Sequence, residues 1–173
     1  LVVGDSLSAE YGLKRGTGWV ALLEQRLGRE KIAGKVVNAS ISGDTTSGGR
    51  SRLPSLLARH HPTHVVIELG GNDGLRGVPP EATRTNLQSI ISKTKSSYPD
   101  AAIVLAGMQM PANMGAEYTR NFSEIFPELA ATNKAALVPF LLEGVGGVAH
   151  LNQEDRIHPT AEGQEIVADN IWK

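Results

Sequence analysis

The sequence contains no cysteine. Disulfides, thiolate metal sites and a cysteine nucleophile are excluded together, whereas no cellular compartment is. Charge of one sign is not in excess either: 17 Lys and Arg face 18 Asp and Glu, for a net charge of −1. Without a basic stripe, the electrostatic footprint of a nucleic-acid partner is missing. No apolar run approaches the roughly 20 residues that span a bilayer, and no export signal is present. The first residue already reads as mid-strand. The strand is therefore expected to begin before Leu1, where a removed export signal would leave no trace. Repeats, linkers and low-complexity tracts are also lacking. With 173 residues, one domain spanning 1–173 with a proper core is expected, as a monomer.

What is present is an alternation of two patterns. Short apolar or β-branched runs occur at Leu1–Val3, Lys35–Val37, Val65–Leu69, Ile103–Leu105 and Ala136–Phe140. Between them lie segments of helical period. Trp19, Leu22, Leu23 and Leu27 share a face, as do Leu87, Ile90, Ile91 and Thr94. Phe122, Ile125, Phe126 and Leu129 repeat the spacing, and Ile166, Val167 and Ile171 close the chain. Short strands alternating with longer helices predict βαβ units, here an α/β fold with five parallel strands between two helical layers. Pro54 is expected in the first turn of the second helix, because an interior proline removes a helical bond.

Ligands of such sheets bind beyond the carboxyl ends of the strands. The tips there are Gly4-Asp5-Ser6-Leu7-Ser8, Asn38-Ala39-Ser40-Ile41-Ser42-Gly43-Asp44-Thr45, Gly70-Gly71-Asn72-Asp73-Gly74, Gly107-Met108-Gln109-Met110-Pro111-Ala112-Asn113 and Asp155-Arg156-Ile157-His158-Pro159. Of five histidines, His60, His61 and His64 flank the amino end of the third strand, the wrong edge for chemistry, and His150 lies in a loop. His158 meets the last helix, with Pro159 suited to its first position. The positive helix end disfavours imidazolium, and Asp155, three residues back, can offset this and fix the tautomer. A histidine N-cap beside an incidental aspartate has the same spacing.

A serine hydroxyl needs a positioned base to attack. Ser6 and His158 share one sheet edge if the last helix packs back near the first strand. Ser6 then attacks, His158 carries the proton and Asp155 holds the imidazole. Ser8 is a decoy that points elsewhere once the turn becomes helical. The Gly-x-Ser-x-Gly elbow of α/β-hydrolases is missing, as are dinucleotide and P-loop fingerprints. Two oxyanion donors stand on neighbouring tips: the Gly43 N–H, unobstructed by a side chain, and the Asn72 amide.

These residues resemble the SGNH hydrolases, also called the GDSL family of esterases and lipases. Gly4-Asp5-Ser6-Leu7 matches the first block, Gly43 in its segment the second, Gly70-Gly71-Asn72-Asp73 the third, and Asp155-x-x-His158 the last. The four occur in order over essentially the whole chain. The longer phrases "VVNASISGDT" and "ELGGNDGLRG" are similar to a bacterial multifunctional subgroup with thioesterase, arylesterase, lysophospholipase and weak protease activities. The resemblance implies a flavodoxin-like α/β/α sandwich and a Ser-His-Asp hydrolase of esters and thioesters needing no metal or cofactor. It also implies a third oxyanion donor, the Ser6 N–H, and a periplasmic or secreted setting.

Substrate walls are expected after the third and fourth strands. Leu75, Arg76 and Gly77 precede a diproline, in a loop that moves on ligand binding in the subgroup. Met108, Met110, Pro111 and Tyr118, with Ala112 and Met114, form an apolar, adaptable surface for an acyl or aryl group. The alternative is that one or two of the methionines simply pack into the core. Arg76 can meet an anionic head group or stand solvated. Asp5, Glu68 and Asp73 are expected to be structural, the two aspartates by bonding loop N–H groups. Glu68 needs a partner if buried. Two other functions fit such a scaffold: a carbohydrate acetylesterase, which calls for a shallow polar site, and a ligand-binding domain without turnover.

Overall fold

The computed structural model describes all residues, 1–173. Four parallel strands lie side by side in chain order: β1 (Val2–Gly4), β2 (His64–Glu68), β3 (Ala102–Ala106) and β4 (Ala136–Val138). The register pairs Val3 with Ile67, Val65 with Ile103 and Leu105 with Leu137. The fifth expected strand, at Lys35–Val37, is not one. Regular pairing there is a single bridge, Val2 with Asn38. The segment still runs beside β1, with Val2 N–H donating to Val37 O at 2.8 Å, Ala39 N–H to Val2 O at 2.9 Å and Ile41 N–H to Gly4 O at 3.0 Å. It lies at the sheet edge, and its ladder is incomplete: Ala39 O accepts from the Arg52 guanidinium instead of from Gly4 N–H. Counting that segment, the order is the 2-1-3-4-5 of flavodoxin-like sheets.

Helices cover both faces. α1 (Trp19–Arg29) packs with α6 (Ala161–Trp172), while α4 (Pro80–Ser97) lies between α2 (Thr46–His60) and α5 (Ala116–Asn133). A short helix, α3 (Gly71–Leu75), follows β2. α2 starts where the Thr45 hydroxyl accepts from Gly48 N–H at 3.1 Å. Pro54 therefore falls in the helix interior rather than its first turn. It is tolerated because it faces solvent, where water can reach the carbonyl it leaves unpaired. The pairing of α1 with α6 is fixed by Gln164, whose Oε1 accepts from Trp19 N–H at 2.9 Å. This contact brings the last helix back to the first strand–helix unit.

A cluster of 26 buried side chains fills the space between the layers. Phe122 sits at its aromatic centre, edge-on to Phe126 at 5.6 Å and stacked with Tyr118 at 6.3 Å between ring centroids. Because Phe122 is fully buried, Phe122→Ala is expected to cost about 3–5 kcal/mol in urea unfolding. No helix is long and apolar enough to cross a membrane.

Candidate active site

Two distant stretches meet beyond the carboxyl edge of the sheet. Ser6 Oγ lies 2.8 Å from His158 Nε2, although 152 residues separate them in sequence. On the other side of the ring, His158 Nδ1 lies 2.5 Å from Asp155 Oδ2. Asp155 Oδ1 accepts the backbone N–H groups of His158 at 3.0 Å and Ile157 at 2.9 Å. Burial works against the Asp155 anion, but these N–H groups and the imidazole outweigh it and hold the carboxyl down to about 2.

His158 is not at a helix N-cap. Thr160 takes that role, its hydroxyl accepting from Gly163 N–H at 3.3 Å. Pro159 instead pairs with Asn152 in an antiparallel bridge. Gln153 N–H donates to His158 O at 2.8 Å, and Thr160 N–H to Leu151 O at 2.8 Å. A threonine hydroxyl is the better cap, so the helix starts later than the spacing predicted. The imidazole is held by Asp155 and by the ring of Tyr11, whose centroid lies 4.4 Å away.

The residues expected to supply oxyanion donors lie on neighbouring segments at that edge, linked by the bonds of Asn72 to Asp5 and Asp44. Neither Ser6 N–H nor Gly43 N–H donates to any protein acceptor. Gly43 adopts φ +81°, a conformation suited to glycine, and the space where a Cβ would stand is open. Asn72 Nδ2 donates to Asp5 Oδ2 at 3.1 Å and to Asp44 O at 2.9 Å. Arg52 of α2 ties this assembly together, a role that nothing in its sequence context signals. Its guanidinium pairs with Asp44 at 2.7 Å, donates to Gly4 O at 3.2 Å, and also bonds Ala39 O. One side chain thus joins β1, which leads into Ser6, to the loop that carries Gly43.

The remaining expectations divide. Ser8 is buried and donates to Glu68 Oε2 at 2.6 Å, away from the imidazole. Asp5 Oδ1 accepts from Leu7 N–H at 3.0 Å. Asp73 accepts Thr46 N–H at 2.9 Å and the Thr46 hydroxyl at 2.5 Å. Leu75, Arg76, Gly77 and Pro111 are exposed, and Arg76 reaches Gly43 O at 3.2 Å. Met108 belongs to the hydrophobic core and has little surface to offer a substrate. Met110 packs against Gly74, and the Tyr118 hydroxyl donates to Val78 O at 2.7 Å. Both brace the loop after β2 from behind. A cavity of 430 Å³ opens at the opposite, amino-terminal edge, between the sheet and Leu23 and Leu27 of α1, and includes none of these residues. No three His, Asp or Glu side chains are grouped to hold a metal ion.

Residues 2–166 match the GDSL-like lipase/acylhydrolase family. The chain belongs to that family. Among GDSL-family relatives, esterase TesA of Pseudomonas aeruginosa is 52% identical over 172 residues, covering 99% of this chain and 85% of the relative. Thioesterase 1/protease 1/lysophospholipase L1 of Escherichia coli K12 is 43% identical over 173 residues, covering 100% of this chain and 81% of the relative. A crystal structure of TesA superposes with a TM-score of 0.95 at 51% identity, over 99% of this chain and 94% of that one. The psychrotrophic esterase EstA from a Pseudoalteromonas species, inhibited by monoethylphosphonate, gives 0.93 at 37% identity, over 99% and 92% of the two chains.

Proposed function

We propose that this GDSL-family protein hydrolyses carboxylic esters and thioesters through an acyl-enzyme on Ser6. The observation that carries this reading is the continuous relay from Ser6 Oγ through His158 to Asp155, with steps of 2.8 and 2.5 Å. In the first half-reaction Ser6 Oγ bonds to the carbonyl carbon and its proton passes to His158 Nε2. The carbonyl electron pair moves to oxygen, facing the N–H groups of Ser6 and Gly43 and the Asn72 amide. Collapse breaks the ester or thioester bond, and the leaving alcohol or thiol takes the proton from His158. Water then repeats the sequence on the acyl-serine and frees Ser6.

The site's surroundings favour an apolar acyl or aryl group. Of five exposed large apolar side chains, Tyr11, Ile41, Leu75 and Ile157 stand on the segments that carry the site. Leu75, Arg76, Gly77 and Pro111 form the substrate wall in this reading, with Met108, Met110 and Tyr118 behind it. Rates on p-nitrophenyl esters of increasing chain length test it. Turnover that persists or rises beyond acetate is expected, whereas strict acetate preference would point to a carbohydrate acetylesterase. The reading includes the periplasmic or secreted setting implied by the family resemblance, which fractionation of cells expressing the full-length gene tests.

The pH dependence follows from the relay. Protonation of His158 removes the base, so kcat/KM should fall on acidification. Asp155 stays ionised down to about 2. The stabilisation from its bonds is complete above the ordinary carboxylate range and is lost only as pH falls through about 2. Its own titration therefore does not produce the acid limb. A kcat/KM profile that stays flat down to about pH 4 contradicts His158 as base.

A further inference from the structure

Two carboxyl groups lie beneath the nucleophile turn and take no part in the proton transfers above. Glu68, the last residue of β2, is fully buried, and Asp5 is 2% exposed. Glu68 Oε2 accepts from the Ser8 hydroxyl at 2.6 Å and from Asp5 N–H at 3.2 Å. Its Oε1 is buried without a hydrogen-bond partner. Asp5 uses both oxygens as acceptors, Oδ1 for Leu7 N–H and Oδ2 for the Asn72 amide at 3.1 Å. Gly4 makes room for the arrangement: a Cβ there would stand 2.7 Å from Glu68 Oε2 and from Ser8 Oγ.

No cation pairs with either carboxyl. Arg52 directs its donors to Asp44 and to the carbonyls of Gly4 and Ala39. The other charged or titratable groups acting on Asp5 are Asp44 and His158. Two buried anions without a cation are strongly disfavoured, and one shared proton removes the conflict. Burial pushes Glu68 well above the usual carboxylate range and Asp5 up to about 6. With a proton on Glu68 the two carboxyl groups can hydrogen-bond to one another instead of repelling. Asp5 must remain an acceptor, because both its contacts are donors.

We propose that Glu68 and Asp5 form a proton-sharing positioning pair, in which neutral Glu68 clamps the Ser6 turn and anionic Asp5 fixes which way the Asn72 amide faces. The consequence lies in the oxyanion site. The acceptors around Asn72, Asp5 Oδ2 and Asp44 O, dictate that nitrogen rather than oxygen occupies that position. With Asp5 lost as acceptor, the amide is free to turn, and its oxygen would repel the developing oxyanion. The pair acts through Asn72 and the Ser6 turn and touches no reacting atom. The inference rests on the function proposed above.

Glu68→Gln mimics the protonated acid: its oxygen accepts from Ser8 and Asp5 N–H while its NH₂ donates to Asp5. Glu68→Leu keeps the volume and removes both roles. Asp5→Asn can satisfy either Leu7 N–H or the Asn72 amide, not both. The expected result is a kcat lowered roughly 10- to 100-fold in Asp5→Asn and Glu68→Leu at nearly unchanged KM. Glu68→Gln should rescue kcat to within about threefold of the parent. The infrared spectrum at neutral pH should contain a protonated-carboxyl C=O band that Glu68→Gln abolishes. A kcat in Glu68→Gln as low as in Glu68→Leu overturns the pair. So does a fully active Asp5→Asn, or a spectrum in which Glu68→Gln changes no such band. If Glu68→Leu does not fold, the Glu68→Gln spectrum and the Asp5→Asn kinetics still decide. Ser6→Ala, assayed in parallel, separates failure of this inference from failure of the hydrolase reading.

Discussion

Ser6→Ala is expected to lower kcat/KM on a p-nitrophenyl ester by roughly four to six orders of magnitude. The hydroxyl is the only group in hydrogen-bond contact with His158 Nε2, so its loss removes the acyl-enzyme route entirely. His158→Ala should cost about as much, because an unactivated serine is nearly inert. The double variant should be scarcely worse than either single one, since the two groups act as a unit. Asp155→Ala should lose one to two orders less, as the imidazole remains in reach of Ser6 while its tautomer is no longer fixed. Additive losses in the double variant would mean that Ser6 and His158 serve separate steps. Thermal unfolding should be little changed in Ser6→Ala, because Ser6 is partly exposed and lies outside the buried core cluster.

The second large effect concerns the anion site. Asn72→Ala is expected to lower kcat about 10²- to 10³-fold, equivalent to about 3–4 kcal/mol of transition-state stabilisation, with KM nearly unchanged. The donor matters where charge develops, not where the neutral carbonyl first binds. In the free protein both Asn72 hydrogens are engaged, by Asp5 Oδ2 and by Asp44 O. One of these contacts must open or be shared when the oxyanion forms. Removing the amide also leaves a buried Asp5 oxygen short of a donor, at a cost to folding of about 1–3 kcal/mol. Kinetics should therefore be read beside a urea titration. A KM increase at constant kcat would reassign Asn72 to substrate binding.

Much of this site was legible in the sequence because its parts obey local rules. Parallel strands put ligands at their carboxyl tips, and four of the five tips carried the polar residues that the structure brings together. The Asp155–His158 spacing was readable because a three-residue step closes within one tight loop. What was not legible depends on contacts across layers. Arg52 lies mid-helix, and only the tertiary fold shows that its side chain reaches back to Gly4 and Ala39. Nothing in the sequence paired Tyr11 with His158; the two rings meet only because α6 returns to α1. Lys35–Val37 had the composition of a strand, but pairing needs a continuous ladder, and Arg52 takes the Ala39 carbonyl that would continue it. The helix after His158 starts late for the same kind of reason: Pro159 was a good first residue, yet Thr160 supplies a cap and Pro159 has a bridge partner. The acid under Ser8 was recognised as needing a partner, but nothing in the sequence identified that partner as Asp5.

The most direct measurement is covalent labelling with an alkyl fluorophosphonate, followed by peptide mass spectrometry. A phosphonate already inhibits the related EstA. One adduct is expected, on the peptide containing Ser6, formed with loss of esterase activity and absent in Ser6→Ala. Labelling should be slowed by orders of magnitude in His158→Ala. An adduct on Ser8 or any other serine, or labelling that survives Ser6→Ala unchanged, would contradict Ser6 as the nucleophile.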